Sequence, residues 1–266
     1  MNIIERMKNG EKIVIGMIHC QPLPGSFHYG GNFREISDRA IADARTMQAA
    51  GFDAVILENT CDAPTAAKLD VPQIAGLSAV AARVRDAVDM PLGVEAVFND
   101  YAAALSIAIA ADAQFIRLPV FVDTVITASG VISPCSREAV LLRKSLGVEH
   151  IKILADVQSK HSYLLNPEIT LEESAAWAAT RGADAIVVTG AATGKQTSTA
   201  ALDGVRRAVK LPVLAGSGVS AKNAHEQLAV ADGLIVGSSL KKGGNLLAPI
   251  EADLAQQMAD LVKNYR

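Results

Sequence analysis

One kind of segment recurs eight times along the 266 residues: a short aliphatic, β-branched run that follows a helix-like stretch and ends in polar residues or glycine. The runs are KIVIGMIHC, DAVILENT, PLGVEAVFND, AQFIRLPVF, HIKILADVQ, DAIVVTG, PVLAGSGV and ADGLIVGSSL. Near-continuous apolar strands are strands covered on both faces, the pattern of a parallel sheet wrapped by helices. Between the runs lie segments such as ISDRAIADARTMQAAG, SREAVLLRKSLG and LEESAAWAATRG, each closing on the glycine that a left-handed helix end favours. Eight successive β-α units close most economically into a single (β/α)8 TIM barrel over residues 1–266. A doubly wound open sheet would place its glycine fingerprint after the first strand, where Gly16 stands isolated.

In such a barrel the chemistry gathers where the strands end, so each strand end nominates residues. These are His19, Glu58 with Asn59, Glu95 with Asn99 and Asp100, Arg117, Asp156 followed by Lys160 and His161, and Thr189. Asn59, Asn99 and Asp100 read equally well as functional residues or as satisfied layer residues and helix caps. His19, Glu58, Arg117 and Asp156 together point to function, because charges gathered inside a low-dielectric barrel demand partners. Lys152 falls on the same side as Leu154 and Asp156. A Schiff-base role is conceivable for it, but pairing with Glu95 or reaching out of the far end of the barrel is the expectation.

The seventh and eighth runs close on Gly216-Ser217-Gly218 and Gly237-Ser238-Ser239, each expected just ahead of a helix. Glycines let an anion approach the backbone, and helix N-termini aim amides at it. This predicts a phosphate site after strands 7 and 8, the place barrels of this kind use. Lys241 and Lys242 could add charge there, although two lysines at a helix start are ordinarily solvated. The stretch TGAATGKQT, residues 189–197, imitates a nucleotide-binding P-loop but places three residues instead of four between Gly190 and Gly194, and Gln after Lys195. It reads as a substrate loop beside the phosphate pocket, with Thr189, Gly190 and Gly194 as ligand-binding candidates.

The net charge of -3 and pI near 6.0 provide no basic footprint for nucleic acid. The first residues lack a secretory core, and the longest apolar run, YAAALSIAIAA, stops far short of a membrane span. A cytoplasmic location is expected. Cys20, Cys61 and Cys135 are odd in number and lack C-x-x-C spacing, so they read as free thiols. No cofactor is required by the sequence. A divalent metal on His19, Glu58, Asp156 or His161 stays open, with no tight ligand motif behind it. Two loops, CQPLPGSFHYGGNFREI and FVDTVITASGVISPCS, exceed what a connector needs and read as lids or binding loops.

Taken in order, IGMIHCQPLPGS, GFDAVILEN, FNDYAAALSIAIAADAQFIRL, ILADVQSKHS, DAIVVTGAATGK, PVLAGSGV and ADGLIVGSSLKKGG resemble the BtpA/SgcQ family over nearly the whole chain. The resemblance implies a ribulose-phosphate-binding type of barrel, and the residues that match the family's motifs include every strand-end candidate from His19 to Gly237 apart from Asn59 and Glu95. Phe98 stands where the family more usually has a basic residue, and residues 122–136 lack its acidic, glycine-rich wording. The expectation is an enzyme acting on a small phosphorylated metabolite, a sugar phosphate, by an isomerase, epimerase or lyase type of proton transfer. Asp156 or Glu58 would be the base, His19 or His161 the acid partner with Lys160 beside them, and Arg117 the anchor. Asn99, Thr189, Gly190, Gly194, Gly216, Ser217, Gly218, Gly237 and Ser238 would hold the ligand. Two other readings remain: an assembly or scaffold factor of the photosystem-biogenesis type that uses the outer surface, and, weakened by the failed P-loop, a nucleotide hydrolase. Homo-oligomers are common among such barrels.

Overall fold

A computed structural model describes residues 1–190 and 197–265. Eight strands, Ile13–His19 (β1), Ala54–Glu58 (β2), Leu92–Glu95 (β3), Phe115–Leu118 (β4), Lys152–Val157 (β5), Ala185–Val188 (β6), Val213–Ala215 (β7) and Gly233–Val236 (β8), pair in chain order and close into a barrel. Every pairing is parallel, including the closing one between β1 and β8. Each of the eight apolar runs contains one of these strands.

The sequence alternates so that one set of side chains fills the barrel and the other meets the helices. Ile13, Ile15, Met17, Ile56, Phe115, Leu154, Val187, Leu214 and Ile235 form an interior cluster, distinct from the larger one between strands and helices. Gly93 shows how tightly this interior is filled, since a Cβ there would lie 2.2 Å from the Phe115 ring. The far end of the barrel is closed by α1 (Ile3–Lys8), whose Ile3, Ile4 and Met7 belong to the same cluster. Nothing in its short sequence announces that plug; the structure supplies it. Asn2 and Glu5 form a capping box that starts it, and Arg6 ties it to Asp53 at 2.7 Å.

Asp53 is one of three equivalent staples. Asp53, Asp184 and Asp232 each stand just before an even-numbered strand and accept the backbone N–H of Val14, Ile153 and Val213 in the preceding strand, at 2.8, 2.9 and 2.9 Å. Each also takes an arginine at 2.7 Å: Arg6, Arg143 and Arg206. The recurring Asp-Ala or Asp-Gly at strand starts is therefore a device for fixing the strands at the far end.

Helices Phe33–Ala50 (α2), Val71–Ala87 (α3), Tyr101–Ala110 (α4), Ser136–Ser145 (α5), Leu171–Thr180 (α6), Thr199–Ala208 (α7), Ala224–Leu228 (α8) and Ala252–Tyr265 (α9) cover the strands. The expected left-handed glycine is found after α2, where Gly51 has φ 92°. Among the described residues, no helix is long and apolar enough to cross a membrane.

The structure corrects two local expectations and decides a third. Residues 121–136 are not plain loop: Val125–Thr127 and Gly130–Ile132 form a hairpin that Tyr163–Leu164 extends to a three-stranded antiparallel sheet. Its inner side chains, Val125, Ile132 and Leu164, pack with Val120 and Phe98. The segment after β8 is two short 3-10 turns, Ser238–Leu240 and Lys242–Gly244, rather than a full helix. Lys152 reaches out of the far end of the barrel, one of its two expected places, its Nζ donating to the Glu149 carbonyl at 3.3 Å; it is neither a Schiff-base lysine nor a partner of Glu95.

Candidate functional site

One step beyond the apolar layers, the inward positions turn polar. His19 and Glu58 are register partners on β1 and β2, as are Glu58 and Glu95 on β2 and β3. Arg117 and Asp156 follow Phe115 and Leu154 by two residues, so alternation brings all five side chains to the same end. All are buried, with Asp156 only 1% exposed and Arg117 4%.

Arg117 is gripped by the protein itself. Its Nε and Nη2 donate to the two oxygens of Asp156, both at 2.8 Å, and Nη1 donates to Glu95 at 3.1 Å. The bidentate geometry is that expected of a strong guanidinium–carboxylate pair. Glu95, read from the sequence as a partner for Lys152, is thus a partner of Arg117. Its place as the last inward residue of β3, in register with Glu58, was the available signal.

His19 Nε2 lies 3.6 Å from Glu58 Oε1. Burial lowers the His19 pKa to about 4, outweighing the pull of Glu58, so the ring is neutral at pH 7. Burial works against ionisation of Glu58. His19 once protonated, and Lys160 and Arg117 throughout, with a hydrogen bond from Glu95, outweigh that and hold its carboxyl below the ordinary value. Burial pushes Glu95 well above the carboxylate range, and the nearby Glu58 and Asp156 add to the effect. Two neighbouring carboxyls driven in opposite directions are the arrangement by which sites separate an acid from a base.

These residues line two adjoining lobes. The first, about 600 Å³, is bordered by His19, Glu58, Ser217, Gly218, Gly237 and Ser238; the second, about 750 Å³, by Glu95, Asp156, Phe98 and Pro119. Glu58, Thr60, Arg117, Lys160 and His161 line both. The glycines of the first lobe are needed for close approach. A Cβ on Gly237 would sit 2.8 Å from His19 Cε1, and one on Gly216 would sit 2.4 Å from Val187 Cγ1. The Ser217 hydroxyl and His19 Nδ1 are buried atoms with no hydrogen-bond partner among the described residues.

Other candidates serve the scaffold. Asn99 uses its amide on both sides of Val120, donating to the carbonyl at 2.8 Å and accepting from the N–H at 3.0 Å. Asn59 accepts from the Val97 N–H and donates to Asp62, which in turn holds the Leu23 N–H. Asp100 caps α4 and takes the Leu69 N–H. Thr189 accepts from the Lys160 N–H at 3.0 Å, fixing the loop that carries Lys160 and His161. Gly190 is buried beside it, and Gly194 lies outside the described residues. Lys241 is not solvated: it is buried, donating to the Leu246 carbonyl at 2.7 Å and standing 3.8 Å from Asp43. Burial raises the thiols of Cys61 and Cys135, to about 11 and about 12, so they stay protonated and poorly nucleophilic. Among the described residues, no three His, Cys, Asp or Glu side chains are grouped to hold a metal ion.

The sequence model of the BtpA family matches residues 10–264, and the chain belongs to that family. It is 40% identical over 256 residues to an uncharacterized protein of Thermococcus kodakarensis, covering 96% of this chain and 97% of that one. It is 35% identical over 242 residues to the photosystem I biogenesis protein BtpA of Synechocystis, covering 90% and 83%. Among solved structures it resembles (S)-3-O-geranylgeranylglyceryl phosphate synthase from Thermoplasma acidophilum in complex with sn-glycerol-1-phosphate. The TM-score is 0.64 at 15% identity, covering 99% of each chain. Phosphoribosyl anthranilate isomerase from Thermus thermophilus gives 0.61 at 15% identity, covering 96% and 100%. At these identities the structures establish the shared barrel fold.

Proposed function

We propose that this BtpA-family barrel is an enzyme that binds a small phosphorylated metabolite at its mouth and moves a proton on it. The observation that carries the reading is the first lobe, where a buried acid–base cluster and a glycine-lined pocket with an unpartnered Ser217 hydroxyl open onto the same space. The phosphate is assigned to Gly216, Ser217, Gly218, Gly237 and Ser238, where backbone and hydroxyl donors can approach an anion closely. Two solved barrels with the same fold carry the names of enzymes of phosphorylated compounds, which supports this assignment by analogy of fold.

Glu58 is the base in this reading. Asp156 has both oxygens committed to Arg117, whereas Glu58 is ionised and borders both lobes. Neutral His19 next to it is suited to donate a hydrogen bond to charge developing on a carbonyl or hydroxyl oxygen, as a buried neutral imidazole does. Lys160, at the edge of both lobes, supplies positive charge to the same end. Arg117 then acts as the internal counterion that holds Asp156 and Glu95, with substrate anchoring secondary.

Melting the protein against a panel of sugar phosphates, nucleotides and inorganic phosphate tests the reading. A ligand at about a hundred times its dissociation constant adds about 2.7 kcal/mol, or roughly 5 to 10 °C for a chain of this size. One sugar phosphate is expected to give that shift. A panel without any shift overturns the reading and favours the scaffold role suggested by the name of the Synechocystis relative.

A further inference from the structure

Among the described residues, the mouth holds more acid than base. Three buried carboxyls, Glu58, Glu95 and Asp156, face the Arg117 guanidinium, and Lys160 stands at the rim. His19 is neutral and adds no charge. Asp156 engages Arg117 through two bonds, and Glu58 is the carboxyl that feels both Lys160 and Arg117. Among the described residues, Arg117 is the cation that faces Glu95, and Asp156 already holds it through two bonds. Glu95 receives one N–H from Arg117 at 3.1 Å, and it is the register partner of Glu58 on the neighbouring strand β2, both side chains lining the second lobe. Two carboxylates in contact inside a low-dielectric site cannot both be ionised, and they share one proton instead.

We propose that Glu95 is a carboxylic acid at neutral pH that donates a hydrogen bond to the Glu58 carboxylate, making it the positioning residue that keeps Glu58 charged and aimed into the cavity. The groups facing it are Glu58 from β2, Arg117 from β4 and Asp156 from β5. One Glu95 oxygen accepts from Arg117 while the other carries the proton toward Glu58, so both ends of the acid are satisfied. Burial of Glu95 favours the same protonation state. The inference rests on the reading of Glu58 as the base.

Glutamine reproduces this bonding: its oxygen accepts from Arg117 and its amide donates to Glu58. Infrared spectra of the ligand-free protein at pH 7, with and without 13C-labelled glutamate, are the test, on wild type and Glu95→Gln. A protonated-carboxyl C=O band that moves on labelling is expected in wild type and absent from Glu95→Gln, with the variant melting within about 3 °C of wild type. Absence of the band in wild type, or its persistence in Glu95→Gln, overturns the proposal. So does a melting drop of about 10 °C, the mark of a broken buried ion pair. Should Glu95→Gln fail to fold, Glu58→Asp decides, since it keeps the carboxylate but takes it out of the glutamate label: the band must still move on labelling, and a band that no longer moves places the proton at position 58. No substrate enters these measurements, so they stand or fall separately from the ligand panel.

Discussion

The two ends of the same barrel use the same chemistry for opposite purposes. At the far end, Asp53, Asp184 and Asp232 each meet one arginine and one strand N–H, and the arginines reach toward solvent. At the mouth, three carboxyls crowd one buried guanidinium beside an open cavity. Charges bonded both to an arginine and to the backbone hold strands in place. An unbalanced buried set, left with a proton to distribute and with orphaned polar atoms at His19 and Ser217, is poised to respond to a ligand.

Two residues on β4 make the comparison sharp, because Phe115 ends the apolar interior and Arg117 begins the polar mouth. Phe115→Ala should cost about 3–5 kcal/mol. Calorimetry should show it as a large drop in melting temperature, with the ligand shift retained below the transition. Arg117→Met should cost a comparable 3–5 kcal/mol by stranding Asp156, and it should abolish the ligand shift as well. Equal ligand binding by the two variants would erase the distinction drawn between the layers.

A smaller effect comes from pH. His19 titrates in the folded state at about 4 because it is buried, below its ordinary value of 6.5. The fold therefore favours the neutral ring. Its contribution is complete above about pH 6.5 and is lost as pH falls toward 4, by about 3 kcal/mol at 1.36 kcal/mol per unit. Glu95 has the opposite sign: its raised pKa gives stability that is present below the ordinary carboxyl value and lost as pH rises through the folded one. Melting curves across this range should show His19→Gln losing the acid-side sensitivity between pH 6.5 and 4. An unchanged slope would mean that the ring is not the group responsible.

The smallest stability effect should accompany a specific loss of binding. Ser217 Oγ has no hydrogen-bond partner among the described residues, so Ser217→Ala should stay within about 0.5 kcal/mol of wild type. It should nevertheless weaken the phosphate-ligand shift, as judged by the same melting panel. A normal shift would remove Ser217 from the site.

The barrel was legible because eight apolar runs and their helices repeat a period that tolerates few architectures. Strand ends then nominated His19, Glu58, Arg117 and Asp156 by alternation alone, and the structure brings them to one mouth. Pairing was not legible, because whether Arg117 faces a ligand or Asp156 depends on distances between strands far apart in sequence. For the same reason Asn59, Asn99 and Asp100 could be read either as ligand contacts or as the backbone staples they are. The α1 plug and the small sheet over residues 125–132 were hidden for another reason: short elements owe their order to the surface they cover more than to their own pattern.

The central claim, that the mouth moves a proton on a phosphorylated ligand through Glu58, is tested most directly by exchange. The ligand selected by the melting panel is incubated in D2O with wild type and with Glu58→Gln, and deuterium in its carbon-bound positions is followed by NMR. The account predicts incorporation at one carbon by wild type and at least about a hundredfold slower exchange by Glu58→Gln, with the ligand's melting shift preserved. Binding without any exchange, or exchange equally fast in both proteins, would contradict it.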